Sequence, residues 1–232
     1  MRVLKHAKIE KEIEFNESTN YYLCIENPRF YREFISDVDA ESDDSDKKVF
    51  LEENNKLLKI EKNLFLIHDP LSTELDEKKL NASIQKDLAA SVDSQENEKY
   101  LSLINEINDY IDSISYDYPL HLSYDSERGL SAFLKAFSIH YESNTNDILI
   151  SRLENIKILS SVFNYKTIII RNLADYLTQE ELNMFFKECR KLETDILILS
   201  SHLPNYDFDN KFIIRIDSEL CEIHIDSSSK KE

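Results

Sequence analysis

Residues 166–200 read KTIIIRNLADYLTQEELNMFFKECRKLETDILILS. The run from Lys166 to Arg171 (KTIIIR) is apolar throughout and of strand length. Thr178-Gln179-Glu180-Glu181 has the T-x-x-E spacing of a capping box, in which hydroxyl and carboxylate satisfy each other's backbone N–H groups. The helix it opens runs to about Lys191. A second apolar run, Asp195 to Ser200 (DILILS), follows. Strand, helix and strand in this order predict two parallel neighbours joined by a right-handed crossover, the unit of an α/β sheet.

Two more apolar runs extend this sheet on the N-terminal side. Tyr21 to Glu26 (YYLCIE) ends at Asn27-Pro28, an N-cap residue before proline at the first helical position. The helix that follows carries Phe30, Phe34 and Ile35 on one face. Asn63 to His68 (NLFLIH) is the other, ended by Asp69-Pro70. Both lack polar alternation, as strands covered on two faces do. Lys211 to Asp217 (KFIIRID) closes the sheet. Val3 to Ile9 with Ile13 to Phe15, and Val49 to Leu51 with Leu57-Leu58, read as short hairpin pieces. Six of the ten residues 37–46 are acidic, so this stretch reads as a solvated spacer. Residues 227–232 read as a frayed polar tail.

The middle of the chain follows another period. Tyr100, Leu103, Ile104, Ile107, Tyr110, Ile111 and Ile114 recur at three and four, one stripe of a long helix that Pro119 stops. Leu130, Phe133, Leu134 and Phe137 mark a second helix. Leu149, Leu153, Ile156, Leu159 and Phe163 mark a third. The predicted organisation is an α/β head of mostly parallel sheet, residues 1–72 and 165–232, with an all-helical leg, residues 73–164, inserted into it.

Composition excludes several functions. The 232 residues contain one glycine, Gly129. Gly-rich phosphate loops need several residues that tolerate positive φ and close backbone approach, so neither a G-x-G-x-x-G nor a Walker loop can be built. The first strand-to-helix turn reads ENPRFYREF and offers neither lysine nor a Ser/Thr for magnesium. No nucleotide cofactor is expected. Cys24, Cys189 and Cys221 match no zinc spacing and read as reduced thiols. The N-terminus has no apolar core of a signal peptide, and no run reaches the ~18 apolar residues of a membrane span. A cytoplasmic protein without membrane contact is expected.

Ligands of open α/β sheets sit beyond the carboxyl ends of the strands. There the sequence places Glu26-Asn27, His68-Asp69, Arg171-Asn172 and Ser200-Ser201-His202. His68, Asp69 and His202 with Ser200 or Ser201 would be the raw material of a hydrolytic site, but the G-x-S-x-G nucleophile elbow is missing. Asp37, Asp39, Glu41 and Asp43 alternate like calcium ligands without the glycine an EF-type loop needs. Asp117, Asp125, Glu127 and Glu142 lie near Gly129 and form a second oxygen-rich candidate for calcium.

The formal charge is −17, which disfavours a general nucleic-acid surface. Lys47, Lys48, Lys56, Lys59 and Lys62 nevertheless fall within sixteen residues, followed by Lys78, Lys79 and Lys86. Repeated by symmetry around a hole, such a patch becomes a concentrated positive lining.

Five phrases give the sequence a family likeness: LCIENPRFYREF (23–34), FLIHDPLSTELDEKKL (65–80), LSYDSERGLSAFLKAF (122–137), IIIRNLADYLTQEELNMFF (168–186) and IIRIDSELCEI (213–223). In this order the chain resembles the Csn family, the type II-A CRISPR-associated accessory proteins of spacer acquisition. The resemblance implies an α/β head shaped like a P-loop NTPase core without a working phosphate loop, and a helical leg. It implies a homotetrameric ring that encloses double-stranded DNA at free ends, without reading sequence and without catalysis. It implies structural calcium, with Asp125 at the position of a family acidic motif and Glu127 beside it. Ser123 and Ser131 stand where some relatives have acidic residues. Its partners would be the adaptation integrase and the RNA-guided nuclease. Lys47, Lys48, Lys56 and Lys59 lie in a region that can face the ring lumen and are the expected DNA contacts. The alternative is a scaffold that docks these proteins and does not hold DNA directly.

Overall fold

In the computed structural model, residues 1–40, 47–72, 75–142 and 147–226 are described. The expected ligands Glu41 and Asp43, and the tail 227–232, lie outside them. By its contacts the chain divides into Met1–Leu75 with Asn144–Glu232, and Asp76–Ser143.

The first unit holds two sheets. Strands β1 (Arg2–His6), β2 (Ile13–Phe15) and β3 (Asn20–Ile25) precede helix α1 (Pro28–Asp39). Then come β4 (Val49–Glu53), β5 (Lys56–Leu58), the single turn α2 (Ile60–Asn63) and β6 (Leu64–Ile67). The short N-terminal strands do not join the parallel sheet. They form their own antiparallel sheet in the order β2-β1-β4-β5.

The second unit contains α3 (Glu77–Ser91), α4 (Ser94–Ser115) and α5 (Leu130–Ala136). The chain re-enters the first unit with α6 (Ile148–Ser161), β7 (Thr167–Arg171), α7 (Gln179–Arg190), β8 (Asp195–Ser200), β9 (Lys211–Ile216) and β10 (Glu222–Asp226). The large sheet runs β10-β9-β3-β8-β7-β6, parallel from β9 to β6. The chain is thus mixed α/β with a mostly parallel sheet. Strand β9 does not close it, because β10 returns antiparallel beside β9 and takes the edge.

Register sorts the apolar strands between two cores. Leu66, Ile169, Leu197 and Tyr21 are aligned across four strands. All four belong to the core shared with β1, β2, β4 and α1. One residue further on, Ile67, Ile170, Ile198 and Tyr22 align. All four belong to the opposite core, under α6 and α7. Side chains alternate faces with period two, so a strand buried on both sides must be apolar at every position. Each such side chain contributes roughly 1.5–3 kcal/mol.

The contacts redraw the expected leg boundary. Helix α6, assigned by sequence to the segment 73–164, packs Leu149, Ile156 and Leu159 into the same core as Ile168 and Ile170. A helical period says that a segment is a helix; it does not say which surface covers its stripe. The 2%-exposed Arg152 of α6 donates through Nη1 to Ser72 O at 2.6 Å.

With a single glycine, turns rely on asparagine. Among the described residues, Asn54, Asn55, Asn164, Asn172 and Asn210 have positive φ. Asn54 and Asn55, at φ 50° and 62°, form the two-residue turn between β4 and β5, where Glu53 pairs with Lys56. Such hairpin turns need positive φ at both central positions, which asparagine tolerates better than most residues. Gly129 has no neighbouring atom within 4 Å of where a Cβ would stand, so crowding does not require it.

Candidate functional site

The carboxyl edge of the parallel sheet carries most of the polar side chains singled out above. At the end of β3, Asn27 caps α1: its Oδ1 accepts from Arg29 N at 3.1 Å and Phe30 N at 3.0 Å, and its Nδ2 donates to Ser218 O at 2.9 Å. Two amides that a phosphate loop would leave for a ligand are therefore satisfied by the chain itself. Glu26 is tied to Arg215 Nε at 2.6 Å.

His68, at the end of β6, pairs through Nε2 with Asp39 Oδ2 at 3.2 Å. Its Nδ1 lies 3.5 Å from Arg171 Nη1. Arg171 Nε donates to the Tyr31 hydroxyl at 3.4 Å, and its guanidinium lies 5.7 Å from that ring's centre. The Tyr31 hydroxyl donates to Asn172 Oδ1 at 3.3 Å. Asp69 Oδ1 accepts from Leu71 N at 2.8 Å. The sequence did not foresee Asp37 or Asp39 here, because α1 runs two residues past Asp37 into the segment read as a spacer.

The other histidine belongs to a separate group. His202 Nε2 faces Asp175 Oδ1 at 2.8 Å, and its Nδ1 faces Ser201 Oγ at 3.4 Å. Carboxylate, imidazole and hydroxyl follow one another here, with the first contact at hydrogen-bond distance and the second longer. Asp69 has no part in this line. Strand β7 separates β6 from β8, which puts neighbouring positions on them roughly 10 Å apart. Ser200 is buried, and its Oγ accepts from His202 N at 3.4 Å. Asp175 could have been found only from the short 3-10 turn Leu173–Asp175 after β7.

The four expected DNA contacts fall into two pairs. Lys48 Nζ lies 2.8 Å from Glu33 and 3.3 Å from Asp37. Hydrogen bonds from Lys48 and then Lys8 hold the Glu33 carboxyl down at about 2. Asp37 also meets His6 Nε2 at 3.2 Å. Lys47 Nζ is 3.5 Å from Glu61. Lys56 and Lys59 are exposed, on β5 and at the entrance to α2. Their positive charge is the more available to a polyanion.

The calcium candidates are scattered. Asp125 Oδ1 accepts from Glu127 N at 3.2 Å, and both residues are exposed. Among the described residues, no three His, Cys, Asp or Glu side chains gather as a metal site. Calcium takes roughly six to eight oxygens, and this turn supplies two carboxylates. Burial pushes the Cys24 thiol up to about 11 and raises that of Cys189 as well. That keeps both in the unreactive thiol form.

The family model for CRISPR-associated protein (Cas_Csn2) matches residues 41–218. The chain belongs to the Cas_Csn2 family. A CRISPR-associated role follows from that membership. No curated protein matches the chain. Among solved structures, an ABC transporter ATP-binding protein from Pyrococcus furiosus is similar at 11% identity and a TM-score of 0.36, over 91% of this chain and 96% of that one. Among the described residues no helix is long and apolar enough to cross a membrane.

Proposed function

We propose that this Cas_Csn2 protein is a non-catalytic binder of double-stranded DNA ends, working as a homotetrameric ring during spacer acquisition. The supporting observation is the glycine-free turn after β3, whose amides Asn27 occupies, in a chain of a CRISPR-associated family. A sheet with this turn can hold a partner but has no cradle for a nucleotide's phosphates. Lys56 and Lys59 are the primary phosphate contacts. Lys47 and Lys48 contribute less, because carboxylates already share their charge. Phosphate contacts of this kind are indifferent to base sequence and weaken steeply with salt. The overall negative charge discourages DNA from surfaces other than the lumen. Asp125 and Glu127 are the calcium ligands this chain offers, with further oxygens from water or a second copy. The adaptation integrase and the RNA-guided nuclease are the proposed protein partners.

The test compares linear duplex with sealed circular duplex of one sequence at matched salt. Binding of the linear form alone is expected. Lys56→Glu with Lys59→Glu should weaken it about tenfold and flatten the salt slope. Equal binding of both duplexes, or no effect of the double change, would reject this reading. No duplex binding at all, together with a stable complex with the integrase, would establish the scaffold alternative.

A further inference from the structure

At the amino ends of the parallel strands lies a polar cavity of about 450 Å³, wholly within the sheet-bearing unit. Asn20 opens β3, Lys166 precedes β7 and Asp195 opens β8, and all three line it. It therefore sits at the opposite edge of the sheet from His68 and His202. Its volume is that of a small-molecule site. Phe15, Tyr21, Phe186 and Leu192 give it an apolar wall.

One cation in this cavity lacks an answering charge. Arg190, in the last turn of α7, donates through Nη2 to Asn20 Oδ1 at 2.6 Å and to Ser18 O at 3.5 Å. Both acceptors are neutral. Its Nε is buried and has no hydrogen-bond partner among the described residues. Taking a guanidinium out of water costs free energy until an acceptor meets it, and an anion offsets that cost best. A water molecule satisfies the hydrogen bond but not the charge.

Around Asp195 the balance is reversed. Arg2 Nε lies 2.6 Å from Asp195 Oδ2, and strand pairing sets Glu53 opposite Arg2. Glu17 and Glu193, both exposed, add two more carboxylates to the lining. A polyanion would be repelled by these groups, and a polycation by Arg190, Lys166 and Arg2. A ligand that carries both signs matches the lining. We propose that this cavity binds a small zwitterion of the amino-acid class, free or as a dipeptide. Its carboxylate meets Arg190, its ammonium faces Glu53 and Glu193, and its apolar body lies on Phe15, Tyr21 and Phe186. Neither Lys56 nor Lys59 lines the cavity, so the proposal stands whether or not the chain holds DNA.

The test is calorimetric titration of the full chain with phenylalanine and with the dipeptide alanyl-phenylalanine. Two relatives of phenylalanine lack one charge each: 3-phenylpropionate has no ammonium, and phenethylamine has no carboxylate. At least one zwitterion should bind, and the tighter of the two identifies the free or the peptide form. Each one-charge relative should bind at least about tenfold more weakly than that zwitterion. Arg190→Gln should bring the zwitterion down to the level of phenethylamine. Glu53→Gln with Glu193→Gln should bring it down to the level of 3-phenylpropionate. Thermal melting checks that the variants fold; if Arg190→Gln does not, the one-charge relatives on the parent chain decide the matter. Absence of binding by both zwitterions would overturn the proposal. So would equal binding of a one-charge relative, or zwitterion binding that a folded variant leaves unchanged.

Discussion

Four of the five residues of β7 are buried, whereas none of the 22 residues of α4 is. Both segments are rich in isoleucine; β7 was recognisable as a continuous apolar run of strand length, α4 by its helical period. They differ in what surrounds them. Strand β7 has a neighbour on either side in the sheet and a core on either face, so each methyl group is enclosed by parts of the same unit. Helix α4 is covered along one line only. Tyr100 packs on Phe133 at 5.6 Å between ring centres, Tyr100 donates to Arg128 O, and Asn108 donates to Ser126 O at 3.0 Å. In the whole Asp76–Ser143 unit, Leu80 and Gln85 are the residues buried among those described. Gln85 is there because its Nε2 donates to Ile139 O at 2.8 Å. Self-sufficient packing is thus a property of the sheet-bearing unit, and the helical unit keeps apolar surface available.

Truncation should expose this difference most strongly. Ile169→Ala, at 0% exposure in the middle of the sheet, should cost about 3–4 kcal/mol in urea unfolding. Leu103→Ala should stay within about 0.5 kcal/mol. A large loss at Leu103 in dilute, non-associated protein would erase the contrast.

Acid should act mainly through the sheet-bearing unit, which holds the buried titrating groups. Burial raises Asp195 to about 6, although Arg2 Nε lies 2.6 Å away. A carboxyl raised above its unfolded value holds its proton more tightly in the native state. Its contribution is therefore greatest at low pH and is lost as pH rises through about 6. The full swing is about 3 kcal/mol. His6 acts in the opposite sense. Burial lowers its pKa, so its contribution is full above its unfolded value and declines as pH falls below that. Asp195→Asn should therefore steepen the loss of stability on acidification from pH 6 to 4, and His6→Gln should make it shallower below about pH 6.5. Urea titrations at several pH values check both signs.

Helix caps should be nearly equal between the regions, since a cap acts within one turn. Thr178 and Glu181 form a complete capping box at α7, and Asp93 Oδ1 accepts from Glu96 N at 2.8 Å at α4. Thr178→Ala and Asp93→Ala should each cost about 1 kcal/mol. One effect should be a gain. Leu220 has φ 67° in the turn between β9 and β10 and is 57% exposed. Leu220→Gly should stabilise by up to about 1 kcal/mol, read as a higher urea midpoint.

The parallel strands of the large sheet were legible because they read as apolar runs of strand length, with little polar alternation; the edge strand β10, mostly exposed, carries no such run and was not read. The cap at Asn27 and the box at Thr178 were legible because their chemistry spans three residues. Helix α6 was legible as a helix but was placed in the wrong unit. Of the candidate site, the strand ends were found, but the partners were not: His68 meets Asp39 rather than Asp69, and His202 meets Asp175. Lys47 and Lys48 were expected as DNA contacts, and the sequence did not show that Glu61, Glu33 and Asp37 lie against them.

The sequence by itself determined the classes of segment, the missing phosphate loop and the family, because each rests on residue types at short spacing. Only the tertiary structure decided that the N-terminal hairpins make a separate sheet, which charges neutralise which, and that one face of α4 stays open. Those outcomes depend on residues far apart in the chain, such as Arg2 and Asp195, whose meeting is fixed by how the sheets stack and leaves no mark in the local pattern of either segment.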